Sequence, residues 1–315
     1  MGEVHQMVLN YGAAAAREHA TSKLERQCLD TAAAVLQDDK FDLNILHSGF
    51  AMTALPHRRV EDLVWERNGG QKGELKLHIE SGYGMSMEPV GIPYGAVARL
   101  ILIYLSSEAV ANNSRVIELG RNMKQFLDRM GISVGGKSVA MVRDQARRIS
   151  MCRLTFFNKR ERDTLISNGS FVRNAVICDP SSEEQNRLWN DQVELDETFF
   201  KSLTDHPLPL REAAIRQLSG RSMALDLYVF LSYRLHVLEK PTPVSWSSLH
   251  TQFGGGYRER WVFVQTIRDP LALALAAYPE AKVEINEGGL ILHPSPSPVP
   301  KIHPWSAKAL KSRRE

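Results

Sequence analysis

The segment Gly131–Ser138, GISVGGKS, has the spacing G-x-x-x-x-G-K-S. In that pattern backbone N–H groups of a glycine-rich loop cradle phosphate and the lysine supplies charge. Residues 174–179, NAVICD, add an apolar run ending in Asp179, the form of a strand that holds a magnesium ion. Nucleotide chemistry needs the loop to leave a buried parallel strand and enter a helix. The residues before Gly131 have helical periodicity instead. Lys124, Asp128 and Arg129 among them do not suit a strand buried on both faces. The structural alternative is that Gly131 ends one helix and Gly135–Gly136 turn the chain into the next. The ten histidines are dispersed and contain no His-apolar-His pair, so metal-and-tyrosine nicking chemistry lacks its ligands. His47 and His57 flank an aromatic loop and read as local hydrogen-bonding residues. Cys28, Cys152 and Cys178 are scattered and odd in number. They make neither a disulfide framework nor a zinc spacing, which fits a reducing cytoplasm.

Charge is the second signal. The chain of 315 residues has a net charge of only +3. Residues 121–162, however, hold eleven Lys/Arg against three Asp/Glu. Residues 181–206 hold seven acids against two bases, and residues 301–315 five bases against one acid. A basic block in a near-neutral protein is either the footprint of a polyanion-binding face or a solvated helix surface. The longest apolar-aromatic run, Leu100–Leu105, falls far short of the ~20 residues of a membrane helix. MGEVHQMVLN has no basic segment followed by an apolar stretch, so no secretory signal is expected and a cytoplasmic protein is.

The elements that would position these residues occur twice. Residues 1–46 read as an Ala-rich helical extension with a ragged start. Residues 47–90 read as a loop, a β-hairpin over 62–80 around NGGQKG, and a linker, ESGYGMSMEPVG. The first pass, 91–180, has a buried helix (PYGAVARLILIYLSSEAVAN), a short strand (RVIEL) and a helix with Met123, Phe126, Leu127 and Met130 on one face. A glycine turn and a helix with Val139, Val142, Ala146 and Ile149 on one face follow, then a hairpin. Residues 181–205 read as an acidic linker and strand. The second pass, 206–298, has a buried helix (SMALDLYVFLSYRLHVL), an extended PTPVSW and a short helix with Trp246, Leu249 and Phe253 aligned. A glycine turn, a long helix expected to kink at Pro270, and a hairpin turning at Gly288–Gly289 complete it. Helix, strand, helix, turn, helix, hairpin is the winged helix-turn-helix order. A single amphipathic helix pair is more often plain core packing; two copies about 125 residues apart are more informative. The expected fold is therefore mainly α with small β-hairpins (α+β): two tandem winged helix-turn-helix domains plus an N-terminal extension. The Pro-containing basic tail, 299–315, reads as disordered.

The chain resembles the plasmid-encoded RepA replication proteins. The segments that carry the resemblance are HSGFAMTALPHRR (47–59), VGIPYGAVARLILIYLSSEAV (90–110), IELGRNMKQFLDRMGISVGGKS (117–138) and RDQARRIS (143–150). Further on they are HPLPLREAAIRQLSGRSMALDLYVFLSYRL (206–235), VSWSSLHTQFGGGY (244–257) and AAYPEA (276–281). The resemblance implies a replication initiator that binds double-stranded origin DNA, commonly at direct repeats. The wider class of two-winged-helix initiators also binds its own operator as a dimer and recruits host initiator protein and replicative helicase. A homodimer is therefore among the expected partners, and no membrane is. The glycine-lysine turn is a normal part of this family's pattern, and the family is not known for ATP hydrolysis. The expectation is a protein that is not an enzyme and carries no cofactor or metal. The alternatives left open are a winged-helix transcriptional regulator without an initiation role and a P-loop NTPase using Gly131–Ser138.

A helix in the major groove presents the face opposite its core stripe. In the first recognition helix that face carries Lys137, Ser138, Ala140, Met141, Asp144, Arg147 and Arg148, with Arg143 on the flank. Arg147 and Arg148 are the expected guanine readers or phosphate clamps. Asp144 either accepts from a cytosine amino group or pairs with Arg148 at i,i+4. Lys159, Arg160 and Arg162 would sit at the wing tip and meet phosphate. In the second helix Phe263, Ile267, Leu271 and Leu275 form the core stripe. Arg258, Trp261, Val262, Gln265 and Asp269 face outward, with Arg268 on the flank. Gln265 could read adenine and Val262 a thymine methyl. Trp261 reads equally as an interdomain packing residue.

Overall fold

The computed structural model describes residues 2–40, 42–70, 74–132, 137–159, 164–175 and 192–299. It is a mixed helix and sheet protein with several small antiparallel sheets. The N-terminal residues form three helices: α1 (Glu3–Tyr11), α2 (Ala13–Glu18) and α3 (Lys23–Leu36). Gly12, at φ 79, separates the first two, a backbone geometry that costs glycine little. Ser22 caps α3 by accepting from Glu25 N–H, and the Glu25 carboxylate reaches back to Thr21 N–H. Ser22→Ala should therefore cost about 1 kcal/mol of stability, read by urea denaturation. An unchanged midpoint would mean that packing alone sets this helix end.

Next come β1 (Leu43–His47), α4 (Gly49–Met52), β2 (Val64–Gly69) and β3 (Leu75–Glu80). The first pass follows: α5 (Gly95–Asn112), β4 (Val116–Glu118), α6 (Gly120–Arg129), α7 (Lys137–Met151), β5 (Arg153–Lys159) and β6 (Thr164–Ser170). Then β7 (Val172–Ala175), β8 (Gln192–Leu195), α8 (Glu197–Asp205), β9 (Pro207–Arg211) and α9 (Glu212–Leu218) lead to the second pass. That pass is α10 (Ser222–Arg234), β10 (Thr242–Ser245), α11 (Trp246–Phe253), α12 (Arg260–Ala276), β11 (Val283–Ile285) and β12 (Gly289–Leu292). The helix, strand, helix, helix, hairpin order thus appears twice. Pro270 lies inside the continuous α12.

The chain divides into two units: a terminal unit, Met1–Leu43 with Pro209–Ile302, and a central unit, Asn44–Leu208. In the terminal unit α12 packs on α10, α11 and α3, and α3 also packs on α1 and α9. The N-terminal helices are therefore built into the same body as the second pass. His5 of α1 is buried, and its Nε2 donates to Ala276 O at the end of α12, 2.9 Å away. The buried Arg211, just before α9, donates to the half-buried Asp38 at 3.2 Å, tying the start of α9 to the segment that follows α3. Strands β10, β12 and β11, in that order, make an antiparallel sheet.

The central unit is organised by α5, whose buried residues run from Val97 to Ser107. A helix apolar on nearly every side must be covered on every side. It packs against α6, α7, α8 and β4. Arg99 is buried in it and donates to the carbonyls of Leu55, Pro56 and Gly95, which clamps the 49–57 segment to the helix. The hairpin β2–β3 joins the hairpin β5–β6 in one four-stranded antiparallel sheet, through the register Leu77↔Phe156 and Ile79↔Leu154. The early hairpin therefore widens the sheet that follows α7. The segment 81–91, read from the sequence as a linker, is instead a tight hairpin docked on the end of α7, held by the Tyr83↔Pro89 bridge and Val90 N–H to Gly82 O.

Candidate nucleic-acid interface

Lys137–Met151 is one helix, α7, rich in good helix formers. Its buried residues are Val142, Gln145, Arg148 and Ile149, followed by Cys152. The sequence-based stripe of Val139, Val142, Ala146 and Ile149 holds at Val142 and Ile149, while Val139 and Ala146 are half-buried. The buried face is rotated toward Gln145 and Arg148 because the segment 90–94 lies across it. That segment brings backbone groups that need partners. Gln145 Oε1 accepts from Tyr94 N–H at 2.8 Å, and Arg148 donates to Ile92 O at 3.3 Å.

Arg148 is consequently a correction. It is 5% exposed, its guanidinium lies 5.3 Å from the Tyr94 ring centroid, and its Nε donates to Asp144 at 2.9 Å. The i,i+4 pairing of Asp144 with Arg148 is formed, and it holds the arginine inward rather than toward a groove. Arg147 is the arginine that faces out. Its Nη2 donates to Glu88 at 2.8 Å across the docked hairpin. Met141 is 52% exposed, Ser138 and Arg143 are half-buried, and the side chain of Lys137 lies outside the described residues. Lys159 is exposed at the end of β5, whereas Arg160 and Arg162 lie outside the described residues. Arg153 and Arg173 are exposed cations that the sequence reading did not single out.

The element before Gly131 is the helix α6, and Gly131, at φ 74, follows its end with its N–H on Asp128 O. The phosphate-loop reading requires a buried strand at that place. The following residues, 133–136, lie outside the described residues.

In the second pass α11 is capped by Ser245, whose Oγ accepts from Ser248 N–H. His250 Nε2 bonds Tyr257 O at 2.9 Å, and both rings stand edge-on to the buried Phe263, fixing the turn into α12. Phe263, Ile267 and Leu271 are fully buried, as the periodicity predicts, and Leu275 is half-buried. Arg258, Gln265 and Arg268 are exposed, Val262 is half-buried, and Trp261 is 63% exposed. Arg260, not anticipated, is exposed beside Trp261. Arg268 lies 6.0 Å from the ring of Trp246.

The site offers little for nucleophilic or metal chemistry. Cys28 and Cys152 are buried, and burial pushes their thiols up to about 11 and about 12, so both stay protonated at neutral pH. Among the described residues no cluster of His, Cys, Asp and Glu is arranged to hold a metal, and no helix is long and apolar enough to cross a membrane. In the central unit α7, and in the terminal unit α12, each exposes arginines on one face, and an exposed cationic helix face is of the kind that meets a polyanion.

Comparison with known proteins then gives the class: a replication initiator. The family model described as plasmid encoded RepA protein matches residues 92–247, and the chain belongs to that RepA family. The match runs from just before α5 to the start of α11, so α7 lies within it and α12 beyond it. No curated protein matches the chain. Among solved structures it is similar to domains 2 and 3 of RctB as a selenomethionine derivative, at 13% identity and TM-score 0.46, over 78% of this chain and 98% of that one. It is similar also to the RctB domains 2–3 fragment 155–483, at 13% identity and TM-score 0.47, over 77% of this chain and 93% of that one.

Proposed function

We propose that this RepA-family protein starts plasmid replication by binding double-stranded origin DNA at direct repeats through two winged-helix modules. Helices α7 and α12 are the recognition helices. Strands β5–β6 and β11–β12 are the wings. The observation that carries this reading is the repeated element order. In each copy, the helix after the turn keeps an apolar face buried and a face bearing arginines exposed. The antiparallel β10-β12-β11 sheet, whose β10 packs on α11, supports a winged module in the second copy. The DNA-facing set of α7 and its wing is Lys137, Ser138, Met141, Arg143, Arg147, Lys159, Arg160 and Arg162. That of α12 is Arg258, Trp261, Val262, Gln265 and Arg268. By family kinship the protein also recruits host initiator protein and replicative helicase, and represses its own gene as a dimer.

A footprint on the DNA flanking its own gene tests the proposal. Protection of several tandem direct repeats is the expected result. Protection of a single inverted repeat and nothing else would make the protein a regulator of transcription without an initiation role.

A further inference from the structure

The hairpin 81–91 is built against the C-terminal turns of α7 with unusual closeness. Three glycines permit it. A Cβ at Gly82 would overlap Met151 O, one at Gly84 would overlap the Glu88 carboxylate and crowd Arg147 Nη2, and one at Gly91 would overlap Arg148 Nη1. Gly91 is at φ 89. The hairpin is internally fixed: Gly84 N–H bonds Glu88 O at 2.8 Å, Met87 N–H bonds Gly84 O at 3.0 Å, and Gly91 N–H bonds Ser81 Oγ at 2.8 Å. Met87 takes φ 61, a left-handed conformation uncommon for a residue with a side chain. This framework brings the Glu88 carboxylate to Arg147 from a point 59 residues away in sequence.

The ion pair is half exposed on both sides, with side-chain exposures of 47% for Arg147 and 48% for Glu88. A pair of that kind adds little to stability. What it does is orient. One N–H of Arg147 Nη2 is held; among the described residues Nε and Nη1 have no partner, and the second N–H of Nη2 completes a fork with the neighbouring nitrogen on its side. The Glu88 carboxylate is itself anchored: its own backbone N–H, Arg147 and the Ser86 N–H hold it below the usual carboxylate range. An arginine reads guanine through a planar fork of two N–H groups, and a fork already held in one plane loses less freedom on binding.

We propose that Glu88 is a positioning residue for sequence readout, holding Arg147 so that its free N–H groups are presented to a base edge from α7. This rests on the reading of α7 as a DNA-facing helix. Arg147 is the reader, and the hairpin 81–91 is the rigid arm that aims it. The carboxylate has a cost in overall affinity, because it places a negative charge near the DNA, and a benefit in discrimination.

The experiment uses the full chain, its footprinted origin duplex, a set of single base-pair variants of that duplex, and a scrambled duplex at the same salt. Glu88→Ala should lower discrimination at one base pair by about tenfold and leave the affinity for the scrambled duplex unchanged or higher. Glu88→Gln, which can still accept from Nη2, should retain most of the discrimination. In an Arg147→Ala background, Glu88→Ala should have no further effect at that base pair. Gly84→Ala, which pushes the pair apart, should reproduce the selective loss, and decides the matter if Glu88→Ala folds poorly. A change uniform over all variants, or no change, overturns the proposal and leaves Glu88 as a simple repulsive charge. A wild-type chain that does not prefer its origin duplex over the scrambled one overturns the DNA reading itself.

Discussion

Acidification from pH 6.5 to 5 should remove about 2 kcal/mol of stability from the central unit, rising to about 3 kcal/mol at pH 4, through one residue, His47. His47 sits in an aromatic cluster, its ring stacked on Phe156 and Phe199 at 5.4 and 5.7 Å and edge-on to Phe50. Both nitrogens are committed in the neutral ring. Nδ1 accepts from Gly49 N–H at 2.9 Å, so Nε2 carries the proton and donates to Ser202 Oγ at 2.8 Å. A second proton would sit on Nδ1, opposite a backbone donor. Burial, and then the nearby His206, push the ring's pKa down to about 4 from 6.5. A lowered histidine pKa means that stability is complete above the unfolded value of 6.5. It is lost as pH falls toward the folded value, because the unfolded chain takes up the proton first. His5 in the terminal unit is lowered, chiefly by burial, and acts in the same direction, while His78, which burial lowers but the Glu80 and Glu66 carboxylates together raise further, is raised on balance and acts in the opposite one. Urea denaturation of wild type and His47→Phe at pH 7, 6 and 5 separates these. The variant loses the two hydrogen bonds and should be weaker by about 1–2 kcal/mol at pH 7. Its curve should converge on wild type by pH 5. Parallel curves would mean that the ring takes up its proton without disturbing the cluster.

The features visible in the sequence were those written as periodicity. Helix α5 could be recognised because an unbroken apolar stretch has to be buried all round, and α12 because Phe263, Ile267 and Leu271 fall on one face. The repeated order followed from such elements. Periodicity failed where burial is polar. The inner face of α7 was drawn too narrowly because only apolar residues were taken to mark it. Gln145 and Arg148 are inside, serving the backbone of Tyr94 and Ile92. The segment 81–91 read as a linker because glycine, methionine and proline also compose linkers. Its glycines are there for close approach to Met151, Arg147 and Arg148, and contacts of that range are not encoded in local pattern. The N-terminal helices read as an extension for the same reason. Their partners, such as Arg211 for Asp38, lie 173 residues away. Of the candidate interface, the charge excess and the two helices were legible. The division of labour between Arg147 and Arg148, adjacent in sequence and opposite in burial, was not.

That division sets how the affinity for DNA should respond to salt. If about six of the exposed cations meet phosphate, the affinity for origin DNA should fall with a log–log slope near −5. Raising salt from about 50 to about 200 mM should then cost about 10³ in affinity. The exposed cations available in the central unit include Arg147, Arg153, Lys159 and Arg173, and in the terminal unit Arg258, Arg260 and Arg268. Each phosphate contact releases its own counterions, so replacing one such residue by Ala should shallow the slope by about 1. Lys159→Ala should do this while weakening binding equally across sequences. Arg148→Ala should not change the slope, because its guanidinium is spent on Asp144, Ile92 and the Tyr94 ring. It should instead lower the stability of the fold by about 2 kcal/mol, the cost of removing a charged donor from a buried carbonyl and a carboxylate. A basic block that is only solvated surface would give a slope close to zero for every one of these proteins. A shallower slope for Arg148→Ala would mean that the pair with Asp144 opens on DNA and that the helix turns a second arginine outward. Equal slopes for wild type and Arg148→Ala, with a lower denaturation midpoint for the variant, would place Arg148, the last arginine of the RDQARR sequence, in the core and leave Arg147 to the DNA.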